Sequence, residues 1–156
     1  MVVNQANMKF LLNPLKLSTM HYYILIFLTF SSLVFGDINL RQQDGRYCYD
    51  GDTCYVTVDG TETKIRLLEL DTPEISKPKC EAEKTLGLEA RDYVNNLIEN
   101  ASMIEFKTDY KKDYFGRILS YLIIDGEDVS EKLVERGLGV VYDRNNKKNW
   151  CSENGY

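Results

Sequence analysis

The chain has 156 residues, 44% of them hydrophobic, and a formal charge of −5 at pH 7. This length suits a single domain with a proper hydrophobic core. The acidic balance argues against a protein that binds a polyanion through its overall charge. Any binding of phosphate groups must instead use a local positive site, such as a pair of arginines and a cation.

The first 36 residues have the pattern of an export signal. Two lysines precede an uncharged apolar run from 22 to 36, which is typical of a signal peptide that is cleaved after a small residue. The run is short for a membrane-spanning helix, although an uncleaved anchor extending back to Leu11 is the alternative. We therefore expect an exported domain at 37–156, which is secreted or periplasmic, or else attached to the membrane outside the cytoplasm.

Cleavage of this signal would leave a chain without histidine, because His21 lies inside it. Removing Lys9 and Lys16 reduces the 19 basic residues to 17, against 24 acidic residues, so the formal charge becomes −7. Catalysis by a histidine base and histidine-rich zinc sites are then excluded. Carboxylates, arginines and cations that bind oxygen are the groups that remain for chemistry.

Four cysteines lie in the predicted exported part, and their spacings do not match a zinc site. Disulfides are the favoured interpretation, since exported proteins fold under oxidising conditions. Of the three possible connectivities we favour Cys48–Cys54, placed symmetrically about Gly51, together with Cys80–Cys151. Buried free thiols are the alternative.

The predicted elements begin with a three-stranded meander. Turn signals at Asp50-Gly51 and Asp59-Gly60 separate runs of alternating apolar and β-branched residues. The three strands are predicted at 46–49, 54–58 and 62–70.

A helix and two further strands are predicted next. Apolar residues at helical spacing indicate a helix over 81–100, and two apolar runs indicate strands at 103–107 and 118–124. A short helix at 129–136 follows, with Asp128 as its N-cap. This order predicts a mainly β, α+β domain, a five-stranded antiparallel OB-type barrel with two to three packed helices.

The third predicted strand ends in a polar segment that is a candidate site. The mostly apolar residues 65–70 lead directly into Asp71-Thr72-Pro73-Glu74. Pro73 keeps Thr72 extended and stops strand pairing, so the polar groups should lie at a rim. By itself such a segment is most often only a turn.

Two other motifs change that interpretation. Asp50-Gly51-Asp52-Thr53 lies one hairpin upstream, and Gly116-Arg117 lies downstream of the helix. Together with Arg66, these two motifs place carboxylates and arginines at rims of the predicted sheet that are separate in sequence. This combination of groups favours a site for a phosphate and a hard metal ion. Strict strand alternation would place Arg66 and Asp71 on opposite faces, so we predict a bulge near 68–70.

In this order the motifs resemble those of the staphylococcal nuclease (thermonuclease) family. The resemblance also includes Gly137-Leu138 and covers roughly residues 47–142. It implies an OB-fold phosphodiesterase that depends on Ca²⁺ and acts on DNA and RNA. Such an enzyme breaks the 5′ P–O bond and leaves 3′-phosphorylated products. We expect it to be a monomer.

The resemblance implies a metal site and a group that acts on water. Asp52, Asp71 and the backbone carbonyl of Thr72 would bind Ca²⁺, and Glu74 would position or deprotonate the attacking water. Ca²⁺ takes six to eight oxygen ligands and tolerates irregular geometry, so two carboxylates and a carbonyl suit it. The remaining ligands would come from water and the substrate.

The resemblance also implies the substrate contacts. Arg66 and Arg117 would bind the scissile phosphate, since each guanidinium offers a bidentate fork to phosphate oxygens. Lys111 and Lys112 are weaker candidates for contacts with flanking phosphates, and Tyr142 for stacking on a base.

One departure from the family pattern lies beside Arg117. Tyr114-Phe115 stands where the family has Lys-Tyr, so an ammonium and a phenolic hydroxyl are lost. Two alternatives to an active enzyme follow: an inactive OB-fold module that binds nucleic acid or protein, and an exported structural protein stabilised by Ca²⁺. The first usually lacks several of the site residues that are present here, and the second gives the arginines no role.

Overall fold

The computed structural model of the protein describes residues 37–145 and 147–152. The predicted signal or anchor at 1–36 lies outside the described residues and stays a prediction. Within the described part, the helices are too short or too polar to cross a membrane.

Over the described residues, eight strands and two helices make up the domain. The helices are α1 (Glu81–Glu99) and α2 (Val129–Glu135). The strands are β1 (Ile38–Leu40), β2 (Thr53–Val58), β3 (Thr61–Leu67), β4 (Leu70–Asp71), β5 (Ile104–Lys107), β6 (Ile118–Ile124), β7 (Glu127–Asp128) and β8 (Val140–Val141).

The larger sheet has the order β1-β2-β3-β6-β5 and forms a nearly closed barrel, as the sequence predicts. The prediction that all its strands are antiparallel is wrong, because β3 and β6 run parallel with Ile65 opposite Ile118. Parallel neighbours need a long crossover, and here α1 and β5 provide it. As a result, β6 begins beside the end of β3.

The first predicted strand, at 46–49, is also wrong. This segment makes only isolated bridges, and the regular partner of β2 is β1. The backbone N–H groups of Tyr47 and Cys48 donate to the side-chain oxygen of Asn95 in α1, at 2.7 and 3.1 Å. Because the Asn95 side chain takes these donors, the segment contacts β2 only through an isolated bridge and two backbone hydrogen bonds and does not form a regular strand.

The predicted bulge in the third strand appears as a sharp turn. β3 ends at Leu67, Glu69 takes a left-handed conformation (φ 56°), and the chain resumes as β4. β4 then leaves the barrel and pairs with β8. Leu67 and Leu70 are buried as expected, whereas Leu68 is only half-buried. The turn breaks the strict alternation and allows Arg66 and Asp71 to face one another.

Helix α1 holds the segment that follows β4. It buries Ala90, Val94 and Ile98 in the core. A Cβ atom on Gly87 would lie 2.7 Å from the carbonyl oxygen of Pro73. The missing side chain therefore lets the helix approach Pro73 closely and fix the backbone of the candidate site.

Two disulfides join Cys48 to Cys54 and Cys80 to Cys151, the connectivity that the sequence favours, and leave no free cysteine in the described range. The first closes the hairpin before β2. The second joins the N-cap of α1 to the last described turn. In the chain-entropy model, closing so long a loop contributes about 4 kcal/mol to stability.

Candidate functional site

The centre of the candidate site is a buried ion-pair group at the end of β3, which we call the inner cluster: Asp52, Arg66, Asp71 and Thr72. One terminal nitrogen of Arg66 is paired with the Asp52 carboxylate. The other lies 3.0 Å from the Leu70 carbonyl oxygen and 3.8 Å from Asp71 Oδ1. Asp52 is 2% exposed and Asp71 is 8% exposed. Two buried carboxylates thus share one guanidinium, which keeps both charges compensated.

Both oxygens of Asp52 are held by hydrogen bonds. Oδ2 accepts from the Thr72 backbone N–H at 3.2 Å and from its hydroxyl at 2.8 Å. Oδ1 accepts from the Thr53 hydroxyl at 3.1 Å. These contacts join the turn before β2 to the segment after β4, so the two predicted metal-binding aspartates lie on fixed backbone.

Gly51 makes this junction possible. A Cβ atom there would lie 2.8 Å from Thr72 Cγ2 and 2.9 Å from Ala90 Cβ. The sequence indicates only a hairpin at this glycine, but its effect is to let the Asp52 turn lie directly against Thr72. Next to it, Asp50 Oδ1 accepts a hydrogen bond from the Asp52 backbone N–H at 3.1 Å and so serves the turn.

The charges around Arg66 affect its pKa. Burial is the main cause that lowers the pKa of Arg66, Asp50 opposes it, and nearby Arg117 lowers it further. Asp71 and Glu74 also raise the pKa. Arginine nevertheless stays protonated. Glu74 and Arg117 thus both act electrostatically on the Arg66 guanidinium.

Arg117 lies at the end of an exposed hairpin, which we call the outer loop (residues 109–117). Its Nε and one terminal nitrogen donate to Asp113 Oδ2, each at 2.6 Å. Its other terminal nitrogen lies 3.3 Å from the Thr53 hydroxyl. Because that hydroxyl also donates to Asp52, Thr53 connects the outer loop to the inner cluster.

The remaining predicted residues lie at the surface. Glu74 is exposed just after Pro73. Lys111 and Lys112 are exposed on the outer loop, and Lys111 is paired with Asp109 at 2.7 Å. Tyr142 is 42% exposed. Its backbone N–H donates to the Glu69 carbonyl oxygen at 2.9 Å. Tyr142 therefore lies beside the turn between β3 and β4, apart from the two lysines in sequence and on a different element.

Asp113 and Lys147 at the site were missed from the sequence, and Thr53 was noted only as part of the Asp50–Thr53 motif, without a role. Asp113 precedes Arg117 by four residues across a glycine, and this opposite-charge spacing could have indicated a pair. Lys147 Nζ lies 3.8 Å from Asp71 Oδ1. The sequence gives no signal for this contact, because it is formed by an irregular tail that the disulfide at Cys151 holds.

The residues predicted to bind the metal, Asp52, Asp71 and Thr72, lie in one cluster, but only two of them are carboxylates. In the parts of the chain that the structure describes, no three acidic, histidine or cysteine side chains are grouped to hold a metal ion. Asp52 and Asp71 offer carboxylate oxygens, which a hard cation prefers. The set fits a divalent cation whose other ligands are water and substrate oxygens, provided that Arg66 gives up part of its contacts.

Residues 64–154 match the model of a protein family described as Staphylococcal nuclease homologue. The chain belongs to this family. The resemblance noted from the motifs is thereby confirmed. The matched range of the staphylococcal nuclease homologue begins after Asp52, so the case for that residue rests on its contacts with Arg66 and Thr72.

Several curated relatives of this staphylococcal nuclease homologue carry nuclease names. It is 35% identical over 102 residues to the SPbeta prophage-derived endonuclease YokF of Bacillus subtilis (strain 168), covering 63% of this chain and 34% of the relative. It is 34% identical over 102 residues to endonuclease YncB of the same organism, covering 63% and 48%. It is 35% identical over 89 residues to the thermonuclease of Staphylococcus hyicus, covering 57% and 52%. The chain thus spans between a third and about half of these relatives.

Proposed function

We propose that this staphylococcal nuclease homologue is an exported, Ca²⁺-dependent nuclease that hydrolyses phosphodiester bonds in DNA and RNA. The observation that carries the proposal is the inner cluster, in which two buried carboxylates and an arginine converge at the end of β3. The endonuclease and thermonuclease names of the relatives support the same activity. The apolar N-terminal run supports the proposed export.

The chain's own residues would hold the metal. Asp52, Asp71 and the Thr72 carbonyl are the proposed ligands, and the hydrogen bonds from Thr72 to Asp52 fix their relative positions. A bound Ca²⁺ would polarise the scissile phosphate and supply positive charge next to the two carboxylates. With that positive charge beside the carboxylates, Arg66 would be free to turn some of its N–H donors toward the substrate phosphate.

The two arginines would bind the phosphate from two sides. Arg66 lies in β3, and Arg117 lies just before β6. These two strands are parallel neighbours. Each arginine has five N–H donors, and negative charge grows on the phosphate oxygens as the reaction proceeds. Since aspartates compensate both guanidinium groups, phosphate binding would replace part of these aspartate contacts. Lys111 and Lys112 would add charge near flanking phosphates, and Tyr142 would stack on a base.

Glu74 would act on water. It is exposed and next to Pro73, so a water molecule can reach it from solvent. Its carboxylate would orient or deprotonate the water that attacks phosphorus. The bond to the 5′ oxygen would then break, leaving a 3′-phosphate on one fragment and a 5′-hydroxyl on the other. We propose that a monomer suffices for this chemistry, because all the proposed groups come from one chain.

A cleavage assay with the full chain tests the proposal. Single-stranded and double-stranded DNA are incubated with the protein in millimolar Ca²⁺ or in excess EGTA, and the ends of the fragments are determined by mass spectrometry. We expect cleavage to 3′-phosphorylated fragments in Ca²⁺ and its loss in EGTA. Equal cleavage in both buffers contradicts the metal's role, and binding without cleavage favours the inactive module.

A further inference from the structure

Two neighbouring aromatic side chains project from the tip of the outer loop. Tyr114 is 96% exposed and Phe115 is 78% exposed. Their rings meet edge to face, with centroids 5.4 Å apart and an angle of 86° between the planes. Contact between aromatic rings and water is unfavourable, so an exposed pair of this kind is a candidate binding surface.

The tip that carries the rings is ordered. Asp113 Oδ1 accepts from the backbone N–H of Phe115 at 2.9 Å, and the Asp113 carbonyl accepts from the N–H of Gly116 at 3.1 Å. Gly116 supplies the left-handed conformation (φ 81°) that closes the turn. The backbone that carries the rings is therefore held before any ligand binds, which lowers the entropy lost on binding.

The aromatic pair is continuous with the proposed phosphate site. The guanidinium carbon of Arg117 lies 5.5 Å from the centre of the Phe115 ring, within the range of a cation–π contact. The same guanidinium reaches Thr53, which is bonded to Asp52. A ligand on the ring would therefore lie next to a phosphate held by Arg117.

We propose that the ring of Phe115, with the perpendicular ring of Tyr114 against it, forms a stacking platform for an unpaired nucleobase adjacent to the phosphate that Arg117 binds. The inference rests on the proposed function, since it places the strand by its scissile phosphate. An aromatic ring can stack on any base, and stacking of this type tolerates sequence changes. Phe115 has no polar atom on its side chain, so it offers only its ring. A base in a duplex has both faces covered, so the platform favours single strands.

The test measures binding without cleavage. The full chain carrying Glu74→Gln is titrated, in Ca²⁺, with a short fluorescent single-stranded DNA. We expect Phe115→Leu to weaken binding about tenfold, because the loss of one stacked base has an effect of that order. Phe115→Trp keeps a ring and should retain the affinity. Tyr114→Leu, with Tyr114→Phe as its matched control, tests the second ring in the same way.

A set of DNAs that each lack one base separates stacking from a structural effect. With the Phe115 side chain intact, we expect removal of one particular base to weaken binding about tenfold, and with Phe115→Leu the same removal should have almost no further effect. An equal loss for both proteins at every position, or no effect of Phe115→Leu, overturns the platform. Because cleavage is not measured, the platform can hold when the nuclease assay fails. A nuclease that cleaves in Ca²⁺ and shows no such coupling disproves the platform alone.

Discussion

The inner cluster and the outer loop each pair an arginine with an aspartate, but in different surroundings. Arg66 is paired with Asp52, whose side chain is 3% exposed, and the partners come from different elements. Arg117 is paired with Asp113, whose side chain is 17% exposed, and the partners are four residues apart in one turn. The inner pair joins neighbouring strands of one hairpin and is buried by the rest of the fold, whereas the outer pair is a local structure that can form with the turn.

This difference teaches which charges can change partners during a reaction. A buried carboxylate that loses its partner keeps an uncompensated charge in a medium that solvates it poorly, whereas a partly exposed one is better solvated by water. Asp52 and Asp71 thus need a positive group at all times. Moving Arg117 from Asp113 to a phosphate therefore costs less free energy than moving Arg66 away from its carboxylates. Exchange of contacts with a substrate is easier at the outer loop.

The largest expected effect concerns Glu74, which is more exposed than either pair and is the group proposed to act on water. Glu74→Gln should lower kcat by about 10²–10⁴-fold, because the amide cannot accept a proton from water. Its free energy of unfolding should not change, since the side chain is at the surface. Single-turnover cleavage and urea unfolding measure the two quantities. Glu89→Gln, an exposed carboxylate on α1, is the control, and an equal loss there would contradict a specific role.

The comparison itself is tested by removing each guanidinium. Arg66→Met should lower the free energy of unfolding by about 3–5 kcal/mol, because Asp52 is left buried without its partner and Asp71 keeps only the contact with Lys147. Arg117→Met should lower it by about 1 kcal/mol or less. Urea unfolding in EGTA measures both. If Ca²⁺ binds where proposed, its addition should restore part of the Arg66→Met deficit. Equal losses in the two variants would show that the sites do not differ as described.

The smallest effect concerns the pH dependence of the outer pair. Partial burial raises the pKa of Asp113, but hydrogen bonds from the Arg117 backbone and side chain, with its charge, lower it below 3.8 overall. A lowered folded-state pKa means that the stabilisation is present above about pH 3.8 and is lost as the pH falls through the folded value.

Stability curves from pH 6 to pH 3 check this expectation. The unmodified chain should lose slightly more free energy of unfolding over that range than Asp113→Asn, by about 1 kcal/mol at most. Asp109→Asn is the control, because Asp109 is also paired with a basic side chain but is exposed. A greater pH effect at Asp109 than at Asp113 would contradict the assigned contacts.

The barrel and the residues around the inner cluster could be predicted because their signals are local. Turn residues, strand alternation and the helical stripe fix the elements, and Pro73 marks the end of a strand. The parallel pairing of β3 with β6 could not be predicted, since it depends on how the crossover packs. The first strand was misplaced for a similar reason: one side chain, Asn95, takes the donors of Tyr47 and Cys48.

The contacts that complete the site also join segments that are distant in sequence. Arg66 and Asp71 carry an alternation conflict that predicted the turn at Glu69. The approach of Gly51 to Thr72, and of Lys147 to Asp71, has no periodic or compositional sign. Such contacts depend on packing between distant segments, which a single sequence does not specify by any simple pattern.

The disulfide between Cys80 and Cys151 encloses the outer loop within a covalent ring, while the inner cluster precedes the ring in the chain. A protease that cuts beside the protruding rings of Tyr114 or Phe115 would open this ring without dividing the molecule. The nicked protein would migrate as one piece on a non-reducing gel and as two after reduction. Arg117 would remain covalently attached to the rest of the candidate site even after such a cut.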